Sequence, residues 1–166
     1  MVDRHRNADL VRHMTSRDLK TVAAIAQQCF GQDAGAVAWF KTLMKTEDMI
    51  GWVIERSGEL VGYCFVQLYD RAMNIIQMAV DPKHHRSQVG ENLVYFLKEK
   101  IGAGGRGGIV TFIPDDAVEL HLFFRWLGFV RVDEAFGNSP SAGQYMFQYP
   151  APEGCWAKAR QGVTHR

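Results

Sequence analysis

The chain has 166 residues, 47% of them hydrophobic, and a formal net charge of +1 at pH 7. This length fits one domain with a substantial core, and the balanced charge argues against nucleic acid or a membrane surface as the main partner. No apolar run approaches membrane-spanning length and the N-terminus lacks a signal-peptide core, so we expect a cytoplasmic protein. Widely spaced cysteines without a CxxC pattern favour reduced thiols: Cys29, Cys64 and Cys155.

The first half of the chain predicts a strand, two helices and a hairpin. Apolar residues at helical spacing follow Thr15 and Asp18, which have the separation of a capping box. The cluster from Arg56 to Glu59 has the composition of a tight turn between two β-rich runs. The predicted elements are a strand at Leu10–Met14, helices at Leu19–Phe30 and Ala34–Met44, and strands at Ile50–Glu55 and Leu60–Leu68.

The second half alternates strands and helices, and Gly128 stands where a helix is expected to stop. The predicted elements are strands at Ile75–Val80, Ile109–Ile113, Val130–Ala135 and Tyr145–Tyr149, and helices from Val89 to Ile101 and from Pro114 to about Leu127. This order is typical of an α/β fold in which helices cover both faces of a mixed sheet. We expect a domain at residues 1–150 and a polar C-terminal tail at residues 151–166.

Residues 80–90 join an apolar strand to an amphipathic helix. The first backbone N–H groups of a helix have no intrahelical acceptor, and the helix dipole places partial positive charge there, so an anionic group is stabilised at this point. Arg86 adds a positive charge and His85 a titratable group, while Ser87 and Gln88 add hydrogen-bond donors. The connection is therefore a candidate phosphate site, with an ordinary solvated turn as the alternative.

Two motifs within this order of elements resemble the GNAT superfamily of acetyl-CoA-dependent N-acetyltransferases, especially the bacterial branch that acetylates protein N-termini. The family's Val-x-Pro followed by Arg/Gln-x-x-Gly-x-Gly/Ala is matched by Val80-Asp81-Pro82 and residues 85–90. Its Leu-Tyr-x-x-x-Gly-Phe is similar to residues 122–129. The resemblance covers Leu10 to Tyr149 and implies a single α/β (α+β) domain with a mixed, mostly antiparallel sheet of six to seven strands.

The resemblance also implies where acetyl-CoA binds. Its pantetheine arm would pair with backbone between two splayed strands, and its diphosphate would bind at the turn, mostly through N–H groups. Gln88 replaces the first glycine of the pattern, which removes conformational freedom but keeps the amide, so we expect a slightly remodelled loop. The implied cofactor-binding residues are Met78, Ala79, Val80, His85, Arg86, Ser87, Gln88, Val89, Gly90 and Glu91.

The proton-transfer positions of the family are substituted. A tyrosine commonly protonates the leaving sulfur, and the matching residue is Phe124, which has no proton to donate. A glutamate commonly acts as base, and the matching residue is Phe112. Candidate replacements are Asp115, Asp116, Glu119, His121 and Tyr145. The alternatives are that the acids stabilise a helix start and that His121 and Tyr145 serve in packing.

The resemblance implies direct transfer of an acetyl group to a primary amine in a ternary complex. An unassisted site favours a weakly basic amine, because an α-amine has a pKa of about 7.7–8.0 and lysine about 10.4. We therefore expect a peptide N-terminus or another low-pKa amine as acceptor, and a monomer or homodimer. Two alternatives are a non-catalytic acyl-CoA-binding or regulatory module and a structural domain that no longer binds the coenzyme.

The remaining sequence features have simple structural explanations. The run Gly102–Gly108 follows a helix and precedes a strand, the reverse of a phosphate-loop order, so it predicts a flexible connection. His84 and His85 have no partners at ligand spacing, so no metal site is expected. The segment Gly137–Gly143 is either a loop near the acceptor groove or a plain hairpin connection, and Trp156 is either a packing anchor or a dimer contact.

Overall fold

A computed structural model describes residues 9–31, 36–132 and 143–149. The helices are α1 (Leu19–Phe30), α2 (Val37–Lys45), α3 (Val89–Ala103) and α4 (Val118–Trp126). The strands are β1 (Leu10–His13), β2 (Met49–Arg56), β3 (Glu59–Leu68), β4 (Met73–Val80), β5 (Ile109–Pro114), β6 (Val130–Val132) and β7 (Gln144–Tyr149). A short 3₁₀ helix, Pro82–His84, follows β4.

The strands form a 7-stranded sheet in the order β1-β2-β3-β4-β5-β7-β6. The pairs β1/β2, β2/β3, β5/β7 and β6/β7 are antiparallel, whereas β4 and β5 are parallel. The parallel register runs only from Met73↔Ile109 to Ile75↔Thr111. The predicted α/β fold with a mostly antiparallel sheet is confirmed.

Two compact units make up the described chain. The first contains residues up to 67 together with residues 77–96, and so includes the end of β4 and the start of α3. The second contains residues 68–76 and those from 97 onward. The division into a domain at 1–150 and a tail at 151–166 stays a prediction, because the tail lies outside the described residues.

Helices cover both faces of the sheet in the first unit. Val53 and Tyr63 share a buried cluster with α1 and α2, in which the Phe40 ring lies 5.8 Å from the Tyr63 ring. Trp52 points to the opposite face, because successive side chains of a strand alternate. There its ring meets Phe96 of α3 at 4.7 Å. The predicted cover on both faces is therefore present in this unit.

The predicted hairpin turn is confirmed by backbone geometry. Ser57 and Gly58 have φ of 55° and 81°, the left-handed pair typical of a two-residue hairpin turn. The carboxylate of Asp18 accepts hydrogen bonds from the Thr15 N–H at 2.7 Å and hydroxyl at 2.9 Å. Helix α1, however, begins at Leu19 with Asp18 as its N-cap and no side-chain capping bond, so the predicted capping box is only partly formed. The start predicted for α2 at Ala34 and the end predicted for β6 at Ala135 lie outside the described residues.

The predicted start of α4 is wrong. Pro114 belongs to β5 and pairs with Gln144, and the Asp115 N–H continues this pairing by donating to Gly143 at 2.9 Å. These bonds keep the chain extended beyond the point where the sequence predicts a helix. Asp115 and Asp116 lie in the turn before α4, whose N-cap is Ala117 with no side-chain capping bond. The two aspartates therefore do not cap the helix.

Candidate functional site

The connection between β4 and α3 lies within the first unit. The Asp81 carboxylate accepts a hydrogen bond from the Lys83 N–H at 2.9 Å, and the Asp81 carbonyl accepts one from the His84 N–H at 2.8 Å. These bonds close the 3₁₀ turn at Pro82, a residue whose fixed φ suits the first turn of a helix. The first helical bond of α3 runs from the Asn92 N–H to the Gln88 carbonyl at 2.9 Å. Helix α3 thus starts at Val89, as predicted.

A run of backbone N–H groups at the start of α3 has no hydrogen-bond acceptor among the described residues. The amides of His85 and Ser87 are engaged, since they donate to the Pro82 and His84 carbonyls at 3.3 Å each. The remaining amides carry the partial positive charge of the helix dipole and can bind an anion. These groups, called the turn amides below, belong to Arg86, Gln88, Val89, Gly90 and Glu91.

Two non-glycine residues of the turn adopt left-handed backbone conformations. Arg86 has φ 61° and Gln88 has φ 67°. Such a conformation costs a non-glycine residue roughly 1–2 kcal/mol, because its Cβ approaches a carbonyl oxygen. Gln88 therefore holds a conformation that glycine adopts without strain, at the position where the family pattern has glycine. The surrounding structure must stabilise it.

The His85 side chain binds the end of β4. Its Nε2 lies 2.9 Å from the Val80 carbonyl oxygen, and the Cys29 thiol donates to the same oxygen at 3.3 Å. Burial raises the pKa of Cys29, which keeps the thiol protonated as a donor. The His85 side chain thus stabilises the end of β4, and its backbone N–H is bound to the Pro82 carbonyl.

The backbone of β4 presents alternate residues to its two edges. The Asp81 N–H donates to the Val61 carbonyl at 2.8 Å, so Asp81 faces β3. Because backbone polar groups alternate along a strand, Ala79 also faces β3, whereas Met78 and Val80 face the opposite edge. Met78 and Val80 therefore face away from β3, but the Val80 carbonyl is already bound by His85 and Cys29. The pairing of Met78, Ala79 and Val80 with pantetheine stays a prediction.

The predicted proton-transfer residues all lie in the second unit. Phe124 is buried, with its ring 5.2 Å from the Phe123 ring and 5.0 Å from the Phe129 ring. Asp116 is exposed in the turn before α4, and its carbonyl accepts the Val118 N–H at 3.0 Å. The candidate role of Asp116 in proton transfer, and the loss of the general acid at Phe124, stay predictions.

His121 and Tyr145 are brought together, with ring centroids 5.7 Å apart. The Nε2 of His121 lies 2.7 Å from the Pro114 carbonyl oxygen. The guanidinium of Arg131 stacks 3.5 Å above the Tyr145 ring. The second unit therefore assembles one imidazole–phenol pair out of the predicted candidates.

The sequence analysis missed a half-buried ion pair next to the turn. Arg56 donates from Nε to Asp9 Oδ1 at 2.7 Å and from Nη2 to Asp9 Oδ2 at 2.8 Å. Asn92 donates to the same carboxylate at 2.6 Å, and the Arg56 contact holds the pKa of Asp9 below its usual value. The Arg56 Nη2 also donates to the Ser87 carbonyl at 2.9 Å. No sequence pattern marks these residues, because they are far apart along the chain.

Other classes of site receive no support within the described ranges. In residues 9–31, 36–132 and 143–149, no group of three or more His, Cys, Asp or Glu side chains is placed to hold a metal ion. None of the helices in those ranges is long and apolar enough to span a membrane. Cys29 and Cys64 are free thiols, and burial raises the pKa of Cys64 to about 12.

The fold and the turn amides together indicate a transferase of the acetyl-CoA-dependent class. The sequence matches the family described as Acetyltransferase (GNAT) domain over residues 47–131, just over half of the chain. The chain belongs to this family, which confirms the resemblance carried by the sequence motifs. No curated protein has a significant sequence match to the chain.

Solved structures share the fold at low sequence identity. The ribosomal-protein-S18-alanine N-acetyltransferase from Escherichia coli has a TM-score of 0.75 and 15% identity, with 95% of this chain and 100% of that chain covered. Ard1 from Thermoplasma volcanium has a TM-score of 0.74 and 22% identity, with 88% and 99% covered. The PaiA N-acetyltransferase from Thermoplasma acidophilum, solved in complex with coenzyme A, has a TM-score of 0.68 and 11% identity, with 86% and 99% covered.

Proposed function

We propose that this chain is an N-acetyltransferase that moves the acetyl group of acetyl-CoA directly to a primary amine. Acetyl-CoA is the cosubstrate that family membership assigns to it, in line with a solved fold neighbour that holds coenzyme A. The observation that carries the proposal is the set of turn amides at the start of α3, which lack acceptors among the described residues.

The donor set fits a diphosphate. Backbone N–H groups at a helix start bind phosphate without any particular side chain, so Gln88 can stand where the pattern has glycine. The exposed Arg86 adds a full positive charge beside them. The edge of β4 that faces away from β3 offers the backbone groups of Met78 and the N–H of Val80 to the pantetheine arm, while the Val80 carbonyl is bound by His85 and Cys29. Bound there, acetyl-CoA supplies an activated acetyl thioester whose sulfur leaves as a thiolate.

The missing acid is tolerable because of the leaving group. A thiol has an unperturbed pKa of about 8.5, so its thiolate departs near neutral pH without a proton donor. A positioned acid or base typically contributes ~10²–10⁴-fold to a rate, so transfer without one is slower but feasible. The acceptor must then be neutral by its own pKa, which selects a peptide N-terminus or a similar low-pKa amine.

His121 is the candidate base that we propose, because a hydrogen bond fixes which ring nitrogen is free. Because its Nε2 lies against the Pro114 carbonyl, an oxygen that only accepts, Nε2 must carry the proton. In the neutral ring Nδ1 then has the free lone pair, which can accept the proton that the attacking nitrogen loses as the amide forms. Tyr145, next to this ring, is the candidate hydroxyl that can donate.

The second candidate function is a non-catalytic acyl-CoA-binding module, which the burial of Phe124 favours. Calorimetry with CoA, followed by thiol release from acetyl-CoA in the presence of free and N-blocked peptides, separates the two. Thiol release that requires a free α-amine supports the enzyme. Tight binding without release across the panel supports the module. The absence of any heat of CoA binding overturns both.

A further inference from the structure

We propose that Arg56 is a positioning residue that holds the turn amides in their anion-binding arrangement through the Ser87 carbonyl. The choice of CoA as ligand rests on the proposed function, but the arrangement itself belongs to the free protein. All residues involved lie in the first unit, between the end of β2 and the start of α3.

The Arg56 guanidinium is itself held from two directions. The Asp9 carboxylate accepts two of its N–H groups at 2.7 and 2.8 Å, and Asn92 fixes that carboxylate from α3 at 2.6 Å. The Asp9 side chain is only 6% exposed and that of Arg56 19%, so water competes weakly for these bonds. The guanidinium of Arg56 is therefore already held in the orientation from which its Nη2 donates to the Ser87 carbonyl.

The bond to Ser87 orients the next amide. The Ser87 carbonyl and the Gln88 N–H belong to one planar trans peptide, in which they point in opposite directions. Since Arg56 holds the carbonyl on its own side, the Gln88 N–H points away from Arg56. That N–H is one of the turn amides, so Arg56 sets the direction of a donor that it does not touch.

The same bond restrains a strained segment. Ser87 lies between Arg86 and Gln88, which have φ of 61° and 67°. Rotation of the Ser87–Gln88 peptide would relieve the left-handed strain at Gln88, but it would break the bond to Arg56 and turn the amide aside. Arg56 thus supplies a restraint that is needed because Gln88 is not glycine.

Arginine is suited to this role by geometry as well as charge. Its planar fork binds a carboxylate in bidentate fashion and still offers an N–H to a carbonyl, whereas lysine is a single charged nitrogen on a flexible stem. Arg56→Lys therefore keeps the charge next to Asp9 and removes the fork. Arg12→Lys is the matched control, because Arg12 binds Asp18 and Glu55 in the same unit without contacting the turn.

The test combines CoA affinity with a rescue variant. We expect Arg56→Lys to raise the Kd for CoA about tenfold, as for the loss of one charge-assisted hydrogen bond, while Arg12→Lys leaves it unchanged. Adding Gln88→Gly to Arg56→Lys should restore most of the affinity, whereas the same change in wild type should gain little. Unchanged affinity in Arg56→Lys, or an equal effect of Gln88→Gly in both backgrounds, overturns the proposal.

Crystal structures of the free wild-type and Arg56→Lys proteins keep this test independent of the ligand. We expect a rotated Ser87–Gln88 peptide in the variant, and an unrotated one refutes the positioning role. If wild type fails to bind CoA while the peptide rotates in the variant, the proposed function fails and the positioning role stands.

Discussion

The Phe124 ring packs edge-on against the Phe129 ring, with centroids 5.0 Å apart and planes at 75°. Phe124 is 4% exposed and Phe129 2% exposed, so both belong to the core of the second unit. Edge-to-face aromatic pairs add stability beyond the area that they bury. The position that matches the family's tyrosine therefore serves packing in this chain.

We expect Phe124→Tyr to destabilise the protein without accelerating acetyl transfer. The new hydroxyl enters an aromatic contact, and a buried hydroxyl without a partner costs about 1–3 kcal/mol. Urea unfolding and initial rates of thiol release measure the two effects. Phe123→Tyr is the control, because Phe123 is half-buried and a hydroxyl there can reach water. A faster reaction at undiminished stability would show that position 124 still reaches the sulfur.

Gly128→Ala should lower the free energy of unfolding by about 1 kcal/mol. Gly128 has φ +83°, and the bonds Gly128 N–H to Arg125 and Phe129 N–H to Phe124 form a Schellman motif at the end of α4. Alanine is strained in this left-handed conformation, although among the described residues an added Cβ would come near the Tyr149 ring alone, at 3.7 Å. Thermal or urea unfolding measures the change.

The control for Gly128 is Gly102→Ala. Gly102 lies in α3, its φ is not positive, and an added Cβ would meet no atom of the residues that the structure describes within 4 Å. Alanine there should stabilise the protein by up to about 1 kcal/mol through helix propensity. If both variants shift stability in the same direction, backbone strain at Gly128 is not the cause.

Local chemistry explains which predictions succeed. The hairpin at Ser57 and Gly58, the start of α3 at Val89 and the stop at Gly128 each depend on a few adjacent residues. Turn composition and helical spacing carry that information directly. The turn of the candidate site could therefore be found from the sequence.

Long-range contacts explain the failures. Arg56 and Asp9 are separated by 47 positions, and Asp9 and Asn92 by 83, so no local pattern reveals the ion pair that holds the turn. The start of α4 was predicted wrongly because β7, far along the chain, pairs with Pro114 and extends β5. Which candidate base meets the amine depends in the same way on tertiary packing.

Asp18 gives the stability of the protein a definite dependence on pH. Hydrogen bonds from Arg12 at 2.8 and 2.9 Å, and from the Thr15 N–H, hold the pKa of the Asp18 carboxyl well below its usual range. A lowered folded-state pKa contributes stability above the unfolded pKa of about 3.9, and this stability is lost as pH falls towards the folded value. We expect this contribution to the free energy of unfolding of wild type to decrease progressively below about pH 4.

Asp18→Asn should be about 2 kcal/mol less stable than wild type at pH 7, the size of a lost charge-assisted contact. The difference should shrink as the pH is lowered below about 4, because wild type then loses the ionised Asp18 carboxylate that the variant lacks. Urea unfolding from pH 7 to pH 2.5 measures it. Asp70→Asn, at an exposed carboxylate, is the control, and a wild-type-to-Asp18→Asn gap that stays constant with pH would contradict the assignment.

The acceptor amine should determine the pH dependence of turnover. With a peptide whose only amine is its N-terminus, the rate should rise about tenfold per pH unit and level near pH 8, where an α-amine becomes neutral. With an N-blocked peptide that carries one lysine, the rate should still be rising at pH 9.5. At pH 7 it should be more than about tenfold lower than the rate with the peptide that has a free N-terminus. Thiol release measured with both peptides at equal concentration provides the comparison. Faster acetylation of the lysine peptide at pH 7 would require a base that deprotonates it, with His121 the first residue to replace.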